Sequence, residues 1–335
     1  VGASKKRNEV QMKKATFAFQ LVLGSFLAFG VVSPLAAQKT PPESHPILAH
    51  RGVHQTYARE GLERDTCTAS RINPPTHAFM ENTIPSLLAT VTLGADVIEV
   101  DVHPTTDGDF AVFHDWTLDC RTDGRGVTRT HTMAYLRGLD VGYGYTADQG
   151  ASFPLRGKGL GLLVNLEEVL NALPSTQVLI NIKSRDPEEG RKLAAYLAKR
   201  GVSPDRVMVY GHEVPVAAYL LAVGPAYRGF SKKQVADCLK SYVFWGWSGF
   251  VPKACKRSVI LVPHSHTGLI WGWRSSFAKR MAKAGSQVYL VGPVPKNSQS
   301  SLAGLNDPAL LKGLPEGVGV WTDAVEIIAP ALAGK

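Results

Sequence analysis

The sequence has only four cysteines in 335 residues, Cys67, Cys120, Cys238 and Cys255, and no two of them lie at the close spacing of a zinc ligand pair. That argues against a structural zinc site. There is no run of Lys and Arg interleaved with aromatics, so the footprint of a nucleic-acid-binding surface is missing and no nucleic-acid partner is expected. Neither an internal repeat nor a low-complexity tract organises the chain. Charged residues are sparse at 19%, beside 44% hydrophobic residues. This is an ordinary globular balance with enough apolar material for a large core.

Part of the formal charge of +9 belongs to the N-terminus. Residues 1–37 hold five basic side chains (Lys5, Lys6, Arg7, Lys13, Lys14) and one acid, Glu9, so 32 basic and 27 acidic residues remain beyond them, a net of +5. A mildly basic protein is compatible with an anionic phosphodiester substrate without being diagnostic of one. Lys13 and Lys14 precede an uncharged, Phe-, Leu- and Val-rich stretch from Ala15 to Gln38 that ends in small residues around Ala36 and Ala37. This reads as a signal peptide within residues 1–37, with Met12 a natural start and residues 1–11 an upstream extension. The expected location is exported, periplasmic or secreted. The alternative is an uncleaved anchor, because the apolar run approaches the roughly 20 residues that span a bilayer, and Leu35 departs from the usual small residue before a cleavage site. In an oxidising compartment the cysteines are expected as disulfides. Of three full pairings, Cys67–Cys120 and Cys238–Cys255 are favoured: the second closes a short loop, and the first ties two segments that both follow candidate strands.

Apolar runs alternate with helical patterns along residues 38–335, which argues for a single domain with a parallel sheet and helical crossovers. The length suits a TIM-like (β/α)8 barrel of about 250 residues. The clearest strand runs are Ile47–Ala49, Val97–Val102, Phe110–Phe113, Val178–Ile182 and Val207–Tyr210, with weaker ones at Tyr227–Phe230, Val259–Val262, Val288–Val291 and Val318–Trp321. Helical patterns occupy Ile84–Leu93, Leu166–Leu173, Pro187–Lys199, Val214–Val223 and Ser275–Ala284. Nine strand candidates compete for eight barrel positions, so one of the last four is expected either not to be a strand or to lie outside the barrel. Long loops are expected after strand 1 (His54–Met80) and after strand 3 (Gly138–Gly161), where substrate pockets of barrels are commonly built.

The chemistry concentrates in ILAHRG (47–52), ENT (81–83), IEVDV (98–102) and FHD (113–115). His50 and His114 each follow a short apolar strand. Glu99 and Asp101 lie two apart within Val97–Val102, so a strand points both to one face and Ile98, Val100 and Val102 to the other. Buried carboxylates are costly unless they bind or pair with a cation. Imidazoles beside oxygen ligands for a metal suggest phosphoester chemistry.

HRG (50–52), ENTIPS (81–86), GADVIEVDVHPTTDGDFAVFHD (94–115), LDCRTDGRGVT (118–128), NLEEVL (165–170) and INIKS (180–184), with weaker echoes in AGSQVYL (284–290) and GVGVWTD (317–323), together resemble the glycerophosphodiester phosphodiesterase family, a branch of the phosphatidylinositol-phospholipase-C-like barrels. The resemblance implies hydrolysis of glycerophosphodiesters to an alcohol and glycerol 3-phosphate. It implies His50 and His114 as general acid and base, Glu99 and Asp101 as ligands of a divalent cation (Mg²⁺ or Ca²⁺), and Arg51 and Lys183 on the phosphate. Where the family usually has a third carboxylate, this chain has Asn181, whose amide oxygen still ligates hard cations, though more weakly. Glu81 is a substitute ligand or an outer partner of the site.

Blander readings stand beside these. His50 and His114 read as structural histidines at strand ends, and Glu99 and Asp101 as partners of Arg51 and Lys183 in a buried ion network. His54, His103, His264 and His266 carry weaker signals, and Phe244, Trp245, Trp247, Trp271 and Trp273 read as core more readily than as a lipid-chain groove. Rival functions are a lysophospholipase D-like phosphodiesterase and a non-catalytic exported phosphate-ester-binding protein. The metal phosphohydrolases named for an HD motif need further ligands on helices, whereas His114–Asp115 follows a strand. The expected partners are a small-molecule glycerophosphodiester or lysophospholipid and a transient membrane-surface contact; no protein partner is inferred.

Overall fold

The protein is described here by a computed structural model covering residues 45–63, 66–294 and 303–334; the expected targeting segment, residues 1–37, lies outside the described residues. The strands are β1 (Ile47–His50), β2 (Val97–Pro104), β3 (Phe110–Val112), β4 (Gln177–Ile182), β5 (Val207–Gly211), β6 (Arg228–Ser231), β7 (Val259–Pro263), β8 (Gln287–Val291) and β9 (Val318–Thr322). The helices are α1 (Ile84–Thr92), α2 (Met133–Arg137), α3 (Leu166–Ala172), α4 (Pro187–Lys199), α5 (Glu213–Val223), α6 (Lys232–Trp245), α7 (Phe277–Lys283) and α8 (Val325–Ala333). Eight strands run parallel in the order β6-β5-β4-β2-β1-β9-β8-β7, a nearly closed TIM-like barrel with helices between the strands.

The period of two along each strand sorts residues between barrel interior and helix layer. On β2, Ile98, Val100 and Val102 join the apolar cluster beneath the helices, with Val178, Ile180 and Ile182 of β4 and Val169 of α3. The alternate residues face inward. Leu48, Val97, Leu179, Met208, Phe230, Leu261, Tyr289 and Trp321 fill the barrel interior, and the polar residues Glu99, Asp101 and Asn181 continue that inward face toward the C-terminal end.

The odd strand is not one of the last four, as the sequence led us to expect, because all four lie in the barrel. It is β3, which pairs antiparallel with β2 through Val102↔Val112, His103↔Ala111 and Pro104↔Phe110. Only the five residues Thr105–Asp109 separate β2 from β3, which is enough for a hairpin and far too little for a parallel crossover. The same hairpin extends β2 through His103 to Pro104, two residues beyond the apolar run Val97–Val102.

No hydrogen-bonded pairing joins β6 to β7, and α6 packs across that seam. Its Val235 and Leu239 enter the interior cluster beside Phe230, Val259 and Leu261. Cys238 of α6 is bonded to Cys255, four residues before β7. Cys67 and Cys120 form the other disulfide and join the two long segments above the barrel. Both pairings agree with those favoured from sequence. The aromatics read as core do not agree: Phe244, Trp245, Trp247 and Trp271 are 50–74% exposed.

Loop-closure entropy ranks the two bridges. Separations of 17 and 53 residues correspond to about 3 and about 4 kcal/mol of stabilisation. Urea unfolding of the paired Cys→Ser variants should therefore show both destabilised, Cys67→Ser/Cys120→Ser the more so. A loss below about 1 kcal/mol for either would contradict a role in holding the fold.

Candidate active site

The HRG turn begins the site. After His50, Arg51 takes a left-handed backbone (φ 63°) and Gly52 another (φ 83°). A Cβ on Gly52 would meet Ser86 Oγ at 2.2 Å, so both the conformation and the close approach of α1 require glycine there. The turn aims Arg51 inward. Its Nε lies 3.1 Å from Asp101 Oδ2, as an ion contact rather than an aligned hydrogen bond, and its Nη1 donates to Glu81 Oε1 at 3.4 Å.

Asp101 is fully buried and sits at the centre of the polar group. Asn181, its register neighbour on β4, donates to its Oδ1 at 2.8 Å, as does Lys183 Nζ at 3.2 Å. Asn82 donates to Oδ2 at 3.2 Å and accepts from the Asp101 backbone N–H. Burial opposes this ionisation, but Lys183 and Arg51 hold the Asp101 carboxyl well below its usual range. Its neighbour on the same face behaves oppositely: burial and the charge of Asp101 push Glu99 up. Tyr210 donates its hydroxyl proton to Glu99 Oε1 at 2.6 Å.

Each histidine is paired with a carboxylate. His50 Nδ1 is 2.5 Å from Asp323 Oδ1, just beyond the end of β9, and its Nε2 is 3.8 Å from Glu99 Oε2. His114 Nδ1 is 2.6 Å from Asp115 Oδ1. Desolvation, then the charge of Arg51, lowers the pKa of both; His50 falls to about 4. Asp323 is in turn fixed by Arg59, the Gly304 N–H and Asn306. Asp115 lies 2.9 Å from Arg121 Nε. Arg121 also pairs with Glu81 and donates to Tyr145 and Thr68, so one buried guanidinium braces both Asp115 and Glu81.

The structure thus brings together His50, Arg51, Glu81, Glu99, Asp101, Asn181 and Lys183, with His114 close enough for Arg51, Lys183 and Asp101 to act on its charge. Glu81 is an ion partner of Arg51 and Arg121, the arrangement of an outer partner of the site. His54 is buried and bonded through Nδ1 to the Gly52 carbonyl. His103 is buried beside Arg129 and Trp116. His264 and His266 lie on the 3₁₀ turn after β7, away from these groups.

Sequence reading missed four contributors: Asp323, Arg121, Asn82 and Lys232. Asp323 and Arg121 stood within recognised blocks, WTD and LDCRTDG, and Asn82 within ENT, but nothing local gave them a role. Lys232 follows β6 directly; desolvation, then the charge of Lys183, lowers its pKa.

Among the described residues no three His, Cys, Asp or Glu side chains cluster as a metal site. The donors that are present fit a hard cation in kind. Glu99 Oε2 is buried without a hydrogen-bond partner, Asp101 follows two residues on along the same strand face and is in register with Asn181, and all three supply oxygen.

A family model for the glycerophosphoryl diester phosphodiesterase family matches residues 50–202. A glycerophosphodiester phosphodiesterase of Bacillus subtilis is 32% identical over 191 residues, 55% of this chain and 56% of that one. Another from Caldanaerobacter subterraneus is 44% identical over 62 residues, 18% of this chain and 26% of its own. The chain therefore spans about half, or less, of the length of these curated relatives. Among solved structures, a glycerophosphodiester phosphodiesterase from Agrobacterium tumefaciens aligns with a TM-score of 0.57 at 21% identity, over 87% of this chain and all of that one. An Oleispira antarctica phosphodiesterase in complex with the product sn-glycerol-3-phosphate aligns with a TM-score of 0.54 at 16% identity, over 87% of this chain and 97% of that one. At these identities the structural likeness speaks for the barrel alone. Together with the HRG, ENT, EVD and FHD residues meeting at one end of that barrel, the sequence match marks residues 50–202 as similar to the glycerophosphoryl diester phosphodiesterase family.

Proposed function

We propose that this protein hydrolyses glycerophosphodiesters to an alcohol and glycerol 3-phosphate. The observation that carries the reading is the pair of imidazole–carboxylate dyads, His50–Asp323 and His114–Asp115, set around Arg51, Lys183 and Asp101. The names of the matched relatives and the glycerol 3-phosphate held by the Oleispira antarctica neighbour support the substrate class. The two disulfides support an exported protein.

In each dyad the carboxylate faces Nδ1, which favours the tautomer with its proton there and leaves Nε2 as the acting atom. His50, with its pKa held near 4, is neutral at physiological pH and takes the proton of the attacking oxygen at Nε2. The P–O bond to the alcohol breaks with its electron pair on the leaving oxygen, and His114 in its imidazolium form supplies that oxygen's proton from Nε2. His114 ends neutral and His50 protonated; proton exchange with water resets both. Water and diester are thereby balanced by alcohol and glycerol 3-phosphate. The guanidinium of Arg51 and the ammonium of Lys183 are held by Asp101 at the site and offset the charge of the phosphoryl oxygens. A divalent cation held by Glu99, Asp101 and the amide oxygen of Asn181, Mg²⁺ or Ca²⁺ by donor type, supplies Lewis-acid polarisation of those oxygens when bound. A non-catalytic phosphate-ester binder has no use for two oriented imidazoles, and the dyads speak against it.

Substituting His50→Asn or His114→Asn should lower kcat about 10²–10⁴-fold on glycerophosphocholine, with circular dichroism unchanged; near-normal turnover in either would sink the mechanism. Asp323→Asn should keep the fold and still lower kcat at least about 10²-fold, because an amide no longer fixes the His50 tautomer. The pH profile has a definite sign. The base must be unprotonated, so kcat/KM should rise with pH along an acid limb displaced below 6.5 toward 4, and a limb above 6.5 would exclude His50 as that base. Chelator should abolish activity and added Mg²⁺ or Ca²⁺ restore it, whereas full activity in chelator would remove the cation from the scheme.

A further inference from the structure

The region around α6 and the segment after β7 has a surface that catalysis does not use. Phe244, Trp245, Trp247 and Phe250 are 58–74% exposed, and Leu269 and Trp271 are 59% and 50% exposed. Trp271 Nε1 donates to the Val243 carbonyl at 2.8 Å, so the end of α6 and the chain leaving β7 form one surface rather than two isolated sites. Leu269 and Trp271 follow the C-terminal end of β7, the end of the parallel barrel at which β1 carries His50 and β4 leads into Lys183. Large apolar side chains gathered in this way on a globular surface mark a contact.

Charge identifies the partner. Between Asp237 and Asp307 the sequence has nine Lys and Arg residues and not a single Asp or Glu. Lys240 lies four residues before Phe244 on α6, Lys253 three after Phe250, and Arg274 three after Trp271, all exposed. The same segment also lines a cleft of about 390 Å³, where Ile270, Trp273 and Leu310 stand beside Arg274, Lys312 and His264. Aromatic rings that seat at the polar–apolar boundary, with Lys240, Lys253 and Arg274 exposed nearby in the chain, fit an anionic lipid bilayer. Among the described residues no helix is long and apolar enough to cross a membrane.

We propose that the surface formed by Phe244–Phe250 and Leu269–Trp271 docks the barrel onto anionic phospholipid bilayers, with the catalytic end of the barrel at the lipid interface. This goes beyond the proposed hydrolysis and is read without turnover, so either proposal can fail alone. The full chain is mixed with vesicles of phosphatidylcholine alone or with added phosphatidylglycerol, and partitioning is measured by sedimentation. Brominated lipid in the same vesicles reports insertion through tryptophan quenching; residues 1–44 contain no Trp, so the quenching does not arise from that segment. Binding and quenching should appear with phosphatidylglycerol and weaken with salt. The Phe244→Ser/Trp245→Ser/Trp247→Ser variant should partition at least about tenfold less, with hydrolysis of a soluble diester unchanged. Partitioning equal in variant and parent, binding indifferent to phosphatidylglycerol, absence of quenching, or a variant that loses self-association instead of lipid binding would each overturn it.

Discussion

The site depends on the burial of one carboxylate. Asp101 has no exposure to water, and an ionised carboxylate in that position persists only if its environment replaces hydration. Two cations, Arg51 and Lys183, and two amides, Asn82 and Asn181, do so. These four come from three segments: the turn after β1, the turn before α1, and the end of β4, which supplies both Asn181 and Lys183 just past it. Neutralising Asp101 therefore fixes where the phosphate-binding cations stand. Burial, reinforced by the same charge, raises Glu99 and so separates the two carboxylates of one strand face into different protonation behaviour.

A second layer repeats the logic at the long segments. Arg121 follows Cys120 directly and Thr68 follows Cys67, so the Cys67–Cys120 bridge sits beside the Arg121–Thr68 hydrogen bond. Arg121 in turn orients Asp115, the partner of His114. Opposite it, Arg59, Gly304 and Asn306 orient Asp323, the partner of His50. Both imidazoles are positioned by carboxylates that are themselves held, which is how a rigid barrel can present mobile-looking loops as fixed chemistry.

Local pattern made much of this legible. The alternation in VIEVDV placed Glu99 and Asp101 on one face, and the barrel and both disulfides followed from element order and cysteine spacing. The gaps in that reading have physical reasons. Asp323 lies 273 residues from His50, and no spacing rule connects the two; only barrel closure through β1–β9 pairing does. The hairpin β3 was taken for a barrel strand because a strand's composition does not state its direction. On α6, Val235, Cys238, Leu239 and Tyr242 fall at i, i+3, i+4 and i+7, a helical stripe that the neighbouring aromatics obscured. Those aromatics were assigned to the core on residue type, but the stripe had already supplied the buried face and left Phe244 and Trp245 outside.

The central claim, hydrolysis at phosphorus with release of glycerol 3-phosphate, is tested most directly by following glycerophosphocholine by ³¹P NMR in ¹⁸O-labelled water. The account predicts glycerol 3-phosphate carrying one ¹⁸O on phosphorus, seen as an isotope shift, with choline as the other product. Phosphocholine as the product, label in the alcohol, or no turnover with divalent cation supplied would contradict it.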